Sequence, residues 1–531
     1  MKSFITKIAV VLLFYVGLNS AYAGLQETLP TYHWGYDYID QLWLRGYFRE
    51  LFILNRPYSR GEIAKAIMAI NEEEDQRKGI VSKQDAWLLF KLQQEFESEI
   101  EKLQRDSFKA RTLVGSYFIE DVSSDQNDFT DHTRVRTRFS ISPTSNLSIF
   151  NAISFDNRLD DDPRYIGERQ NGLAGFTEQA YVRLNWRKIN FVLGRDFIRW
   201  GSGQSATLLI SDQVRPMDVF LVSFGRNKFK FTFFMAMLDA TSVPDTTGGF
   251  LRTAQANRYL AAHRLEVKIG SWLNLGLTEA ILYGGINRTV EFSYLNPLLF
   301  FHGNLLNGPG DGNTFGTIDW YLLPHRNIGF YGTFMIDDIQ LEKSSVGDLE
   351  PNELGWLLGA RVADPLSLKG SNFLIEYTRV TNRTYNTLRP DEKFLHRNFP
   401  IGHYLGNDFD RWHIQWRQWF RSDVEITASF EQVRKGQGDV YAPFDTPWEQ
   451  FTLEQGYHEP FPTGIVEKTQ SANLKILYHP IKQLRISLDT KFRHINNLSH
   501  ISGVDDDGWL FQLNLWWAPE VSVPLRFLRQ D

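Results

Sequence analysis

Three groups of residues in this chain have the side chains and spacing for chemistry. Arg134, Arg136 and Arg138 recur at every second position in TRVRTRFSIS, which on a strand sets three guanidinium groups on one face. Arg195, Asp196, Arg199 and Trp200 fall together in LGRDFIRWGSGQSATLLISD, Leu193 to Asp212. Residues 435–467 crowd Tyr441, Phe444, Trp448, Phe451, Tyr457, His458 and Phe461 among Asp439, Asp445, Glu449 and Glu454. Arginine grips carboxylates bidentately, so the first two groups suit an anionic sugar. They suit better an interior ion-pair network, with Glu266, Glu425, Glu431 and Asp489 as partners on neighbouring strands, because charge at membrane depth must face inward and find partners. Flat rings beside polar groups suit sugars, whose C–H faces stack while hydroxyls hydrogen-bond. A loop capping a barrel with its own rings has the same composition. The triplets Asp160–Asp162 and Asp505–Asp507 offer oxygens to Ca²⁺, but no spacing dictates a cage, so they read as solvated loop tips. Gly201-Ser202-Gly203-Gln204-Ser205 is not the G-x-S-x-G elbow, and neither HExxH nor a P-loop occurs.

The elements that must position these residues are strands. Val135, Thr137, Phe139 and Ile141 oppose the arginine row. After the turn Pro143–Asn146 the chain returns with Leu147, Ile149, Ile153 and Phe155 on one face. Each strand is about ten residues, the length a tilted strand needs to cross a bilayer. The same alternation recurs to the end of the chain, for example Ala180, Val182, Leu184 and Trp186, or Leu484, Ile486 and Leu488. The count is eighteen strands, from 112–120 to 508–517. Connections alternate between short turns and long loops at 121–132, 158–176, 201–217, 239–259, 284–314, 339–352, 384–410, 435–467 and 495–507. Sorting of loops by parity is the mark of an outer-membrane barrel.

Upstream of the strands the period changes. MKSFITKIAVVLLFYVGLNSAYAG has a basic start, a short apolar run and Ala21-Tyr22-Ala23, so residues 1–23 read as a signal peptide. Residues 24–110 carry helical spacing: Ile39, Leu42 and Trp43; a capping box Ser59/Glu62 before Ile63, Ala66, Ile67 and Ile70; then Asp85 to Leu103. Three helices in a small antiparallel bundle are expected. There is no cysteine, which excludes disulfides and thiol chemistry. Removal of Lys2 and Lys7 takes the formal charge from −6 to −8, which excludes a generally basic nucleic-acid binder. Aromatics are abundant, 40 Phe, 21 Tyr and 15 Trp, and suit strands and membrane interfaces.

LGRDFIRWGSGQSATLLISD, together with RPYSRGEIA (Arg56 to Ala64), YLNPLLFFHGN (Tyr294 to Asn304), GFYGTFMIDDI (Gly329 to Ile339) and HYLGNDFD (His403 to Asp410), resembles the Wzi-type capsule-assembly family in order and spacing. The resemblance runs through essentially the whole mature chain. It implies an all-β transmembrane barrel of about 18 antiparallel strands with a small N-terminal periplasmic α-helical bundle. It also implies a non-enzymatic lectin that attaches or assembles capsular or exopolysaccharide at the cell surface. The expected layout is signal peptide 1–23, bundle 24–110, barrel 111–518 and a periplasmic tail 519–531. The expected polysaccharide contacts are Arg199, Trp200, Tyr441, Trp448, Tyr457 and His458. Arg134, Arg136, Arg138, Arg195 and Asp196 are expected to form a polar network facing the lumen. The protein is expected in the outer membrane as a monomer, among lipid and lipopolysaccharide, with no cofactor, metal or nucleic acid. A diffusion porin and an outer-membrane hydrolase are the competing functions.

Overall fold

The computed structural model describes residues 24–77, 82–105, 111–125, 128–160, 162, 165–169, 174–245, 252–308, 310–342, 344–421 and 423–524. The expected signal peptide and residues 525–531 lie outside the described residues.

Alternating side chains build one continuous antiparallel sheet. Its strands are β1 (Arg111–Asp125), β2 (Asp128–Thr144), β3 (Leu147–Asp156), β4 (Ala174–Trp186), β5 (Ile189–Asp196) and β6 (Met217–Arg226). Then come β7 (Phe229–Met237), β8 (Arg252–Ile269), β9 (Leu273–Ile286), β10 (Asn313–His325), β11 (Ile328–Asp338) and β12 (Glu353–Ala363). The last six are β13 (Ser371–Val380), β14 (Phe409–Trp419), β15 (Val424–Lys435), β16 (Glu467–Ile481), β17 (Leu484–Asn496) and β18 (Asp506–Trp517). Each pairs with the next, and β18 returns to β1 with Phe118 opposite Trp517, so eighteen strands close a barrel. Thr241–Asp245 prolongs β7 along β8, and Glu520–Pro524 prolongs β18 along Arg111–Gly115 of β1. The first residues of the expected tail are therefore barrel wall.

The loops sort by parity as expected, with one change. Residues 121–132 are no loop: β1 and β2 pair out to Asp125 opposite Asp128. Outward residues such as Phe139, Ile149, Val182, Leu193, Phe220 and Leu358 are exposed and apolar. They form the belt that hydrocarbon covers in a barrel of this kind. Trp186 and Trp272 are exposed at the short-turn end, Trp412 and Trp509 at the long-loop end, the levels of two interfacial girdles.

The helices form and pack on one another, and the segment that carries the first of them enters the barrel as a plug. They are α1 (Gly35–Leu44), α2 (Arg60–Arg77), α3 (Lys83–Glu95) and α4 (Glu97–Arg105), the last two a single stretch broken at Phe96. The Ser59/Glu62 capping box is present: the Ser59 N–H donates to Glu62 (2.7 Å) and the Glu62 N–H to Ser59 Oγ (3.2 Å). Residues 24–60 touch the inner wall on many sides. Arg138 pairs with Glu27 at 3.2 Å, Thr28 bonds the Tyr181 hydroxyl at 2.9 Å, and Asn55 donates to Thr232 at 2.9 Å. Arg417 reaches Asp37 at 2.9 Å. At the short-turn rim, Arg45 grips Asp364 bidentately at 2.9 and 2.7 Å, and Lys91 Nζ donates to the His479 and Pro480 carbonyls. None of the helices among the described residues is long and apolar enough to cross a bilayer.

Candidate functional site: the filled lumen and the outer rim

The opposite end is filled by two long loops that turn inward. In the loop 197–216, Arg199–Trp200 pairs as a short ladder with Asn55–Arg56 of the plug. Ser202 Oγ donates to the Gly332 carbonyl at 2.8 Å, and the Gln204 N–H donates to Glu376 at 2.8 Å. Gly201 sits at φ +129°, a conformation that favours glycine, where the chain turns off that ladder. The loop 381–408 lies over it: the Tyr385 hydroxyl donates to the Leu208 carbonyl, and the Ser211 N–H to the Ile401 carbonyl at 2.9 Å. Plug and loops share one apolar cluster that includes Trp43, Leu208, Tyr321, Tyr385 and Phe394. Large barrels must fill or plug their lumen or remain channels, and this one is filled from both ends. A polar cavity of ≈ 250 Å³, reached by Arg199 and His413, and a mainly apolar one of ≈ 310 Å³, reached by Arg134, Arg136 and Arg138, remain between plug and wall.

The arginine row faces inward as its parity requires. Arg134 pairs with Asp156, Arg136 with Glu178 and Arg138 with Glu27. A register shift between β3 and β4 turns both Glu178 and Gln179 inward, and Gln179 Nε2 donates to Asp196 at 2.7 Å. Asp196 is therefore in the lumen network. Arg195 is not. It shares the outward parity of Leu193, and it binds Asp218 of β6 bidentately at 2.9 and 2.6 Å near the outer rim. A strand end above the apolar belt can carry an outward ion pair, which is why charge alone misplaced it. Arg199 and Trp200, expected as polysaccharide contacts, are both buried inside the barrel beside the plug. Arg199 is buried against the Gly203 carbonyl with Asp212 at 3.6 Å, and the Trp200 ring packs tilted against Phe234 at 5.0 Å between ring centroids.

The aromatic loop 436–466 stays at the outer rim. It hangs on Asp408 of HYLGNDFD, whose carboxylate accepts from the Gly438 N–H at 2.8 Å and from Thr463. Trp448 is only 3% exposed and forms the loop's own core. Phe444 and Tyr457 flank it, and the Arg383 guanidinium lies 4.9 Å over its ring. Arg383 in turn binds Asp445 at 3.0 Å and Glu459 at 2.9 Å. Tyr441 (47% exposed), Phe451 and His458 present themselves to solvent, and Tyr457 is half-buried with its hydroxyl on Glu459 at 3.2 Å. Ring faces beside carboxylates and amides are the combination a sugar surface requires.

A second outer feature was not legible beforehand. A cavity of ≈ 290 Å³ is lined by Tyr165, Phe176, Arg195, Arg215, Asp239, Arg397 and Phe399. The Arg215 guanidinium lies 4.9 Å from the Phe176 ring and 5.5 Å from Phe399. Asp239 accepts from the Arg397 N–H at 2.8 Å. Phe176 and Arg195 come from the ends of β4 and β5 and the others from separate loops, so no single stretch of sequence shows the group. Among the acid triplets, Asp506 and Asp507 pair with Arg493 and His494, and Asp161 lies outside the described residues. Among the described residues no group of three or more His, Asp or Glu side chains could hold a metal ion. Nearby, burial reinforced by Asp338 pushes the Glu350 carboxyl up to about 7. Burial does the same to Glu392, up to about 7, against the opposing pull of Arg389.

Comparison with known proteins places this architecture. No curated protein matches the sequence. Among solved structures, the chain is similar to Wzi of Escherichia coli, described as an outer membrane protein involved in group 1 capsule assembly and a carbohydrate-binding β-barrel. The TM-score is 0.59 and the identity 14%, over 94% of this chain and 99% of that one. Pseudomonas aeruginosa OprD (TM-score 0.43, 9% identity, 77% of this chain and 95% of that one) and OpdK (0.44, 9%, 77% and 99%) are more distant. The model of the family described as capsule assembly protein Wzi matches residues 126–507, well over half of the 531 residues. The chain belongs to the capsule assembly protein Wzi family.

Proposed function

We propose that this protein is an outer-membrane barrel that binds capsular or exopolysaccharide at the cell surface and helps retain or assemble it there, without catalysis. The observation that carries this reading is the filled lumen. Loops 197–216 and 381–408 meet the N-terminal plug inside the barrel, so ligand chemistry is left to the outer rim. Family membership and the fold likeness to a carbohydrate-binding barrel support it. In this reading the helical plug closes the periplasmic end, residues 1–23 are a removed secretion leader, and the chain works as a monomer among lipid and lipopolysaccharide. The rim surface of Tyr441, Tyr457 and His458 and the Arg215 cavity are the sugar-contacting regions. Arginine beside rings favours a glycan with carboxylates.

The experiment is deletion of the protein with surface polysaccharide and barrel abundance measured together, then complementation by Tyr441→Ala and Arg215→Ala. Loss of cell-bound glycan with normal barrel abundance is expected. Normal retention in the deletion strain would end the proposal. Purified protein in planar bilayers should show no steady conductance; long-lived open channels would favour a porin instead.

A further inference from the structure

One long loop neither fills the lumen nor caps the rim. Residues 287–312 turn outward over the wall, carrying a short helix α5 (Phe301–Asn307). Tyr294 and Phe301 are fully buried against Met235, Tyr259, Ile281 and Tyr283. These wall residues all have outward parity, as the paired row Leu193, Phe220, Met235, Ala261, Ile281 and Thr314 across β5–β10 shows. Leu193 and Phe220 in that row are bare, Met235 to Ile281 are covered, and His302 of α5 hydrogen-bonds Thr314 at 3.1 Å. The flap therefore lies against the outside of the barrel, level with its apolar belt.

The flap also hides polar groups that hydrocarbon would penalise. Glu279 and His263 face outward 3.2 Å apart. The Glu279 carboxylate accepts from the Phe301 and His302 N–H groups at 3.0 and 2.8 Å. Several of the flap's N–H groups are satisfied locally, Tyr294 to Glu291, Leu295 to Phe292, Asn296 to Ser293 and Leu299 to Asn296. Its far side carries large apolar side chains, Phe292 90% exposed, Leu298 81%, Leu306 72% and Phe300 65%, interspersed with the uncharged Ser293, Asn296, His302 and Asn307. Residues 292–310 contain no Asp, Glu, Lys or Arg. Charge appears at the neck, where Arg288 binds Glu291 and Asp311, and Arg389 binds Asp311.

We propose that residues 292–307 are a wall-mounted membrane anchor whose exposed face is covered by the acyl chains of the outer leaflet. The occupant follows from continuity: the exposed leucines and phenylalanines extend the same belt at the same level, where irregular backbone survives only with its polar groups satisfied. The inference is independent of any glycan binding. The chain has no cysteine, so single substitutions report directly. Full-length Leu298→Cys and Leu306→Cys, spin-labelled in liposomes, should collide with oxygen and exclude a water-soluble nickel chelate. Their ratio should match Leu277→Cys on the bare belt rather than His458→Cys on the outer loop. Nickel access like that of His458→Cys would overturn the proposal. So would low collision with both reagents, which would mean that a second copy or another protein covers the flap.

Discussion

The inner wall around Arg264 and the outer wall around Phe139 are built from the same alternating strands, yet they are stable for opposite reasons. Inside, Arg264 is 1% exposed and reaches Asp319 at 2.5 Å and Thr278 at 2.6 Å. Outside, the exposed side chains of Phe139 and Val182 carry no polar group to satisfy, only hydrocarbon to meet. The difference teaches that charge on the inner wall is held by a partner inside, on a nearby strand at Arg264 and on the plug at Arg138 and Arg417. The apolar face sets the barrel's solvent.

Breaking the inner side should cost most. Arg264→Ala leaves Asp319 buried without its partner and should destabilise by about 3–5 kcal/mol, read from urea unfolding in detergent. Arg264→Met with Asp319→Leu should recover much of that loss; no recovery would mean the pair contributes packing rather than charge pairing. On the outer side, Phe139→Arg or Val182→Arg should cost about 2–4 kcal/mol near the midplane, measured by refolding equilibrium into bilayers. Harmless substitution at both positions would reverse the facing of β2 and β4.

At the rim the effects shrink and change character. Trp448→Ala empties the core of loop 436–466 and should expose that loop to protease and weaken glycan retention while the barrel assembles. Tyr441→Ala should change unfolding by less than about 0.5 kcal/mol and act on glycan retention alone. Equal loss of stability in both variants would show that the loop's exposed and buried rings are not distinct. The smallest effect is in pH. Glu350 and Glu392 are held near 7, above an ordinary carboxylate, so the folded protein binds more protons than the unfolded chain between about 4.5 and 7. Stability of the outer loops should therefore be greatest below that window and fall as pH rises through it. Hydrogen exchange of residues 339–352 at pH 5 and pH 8 checks this, and Glu350→Gln should flatten the dependence.

The chain's alternation alone determined much of the architecture. Period two sets the face of a side chain within any strand, so the inward arginine row, the outward belt and the parity of the loops were all legible. So was the Ser59/Glu62 helix start, because capping is a local exchange of hydrogen bonds. Tertiary structure alone decided where the loops went and who met whom. LGRDFIRWGSGQSATLLISD, YLNPLLFFHGN and the stretch 435–467 all carry aromatic residues in long connections, yet one fills the lumen, one lies outside the wall and one caps the rim. Their destinations depend on contacts far apart in sequence: Trp200 against Asn55, Phe301 against Glu279, Thr463 against Asp408. The same holds for Arg138, whose partner Glu27 sits in the plug 111 residues away. A local period carries no information about such pairs, because they exist only after the barrel has closed and brought its two ends around one interior.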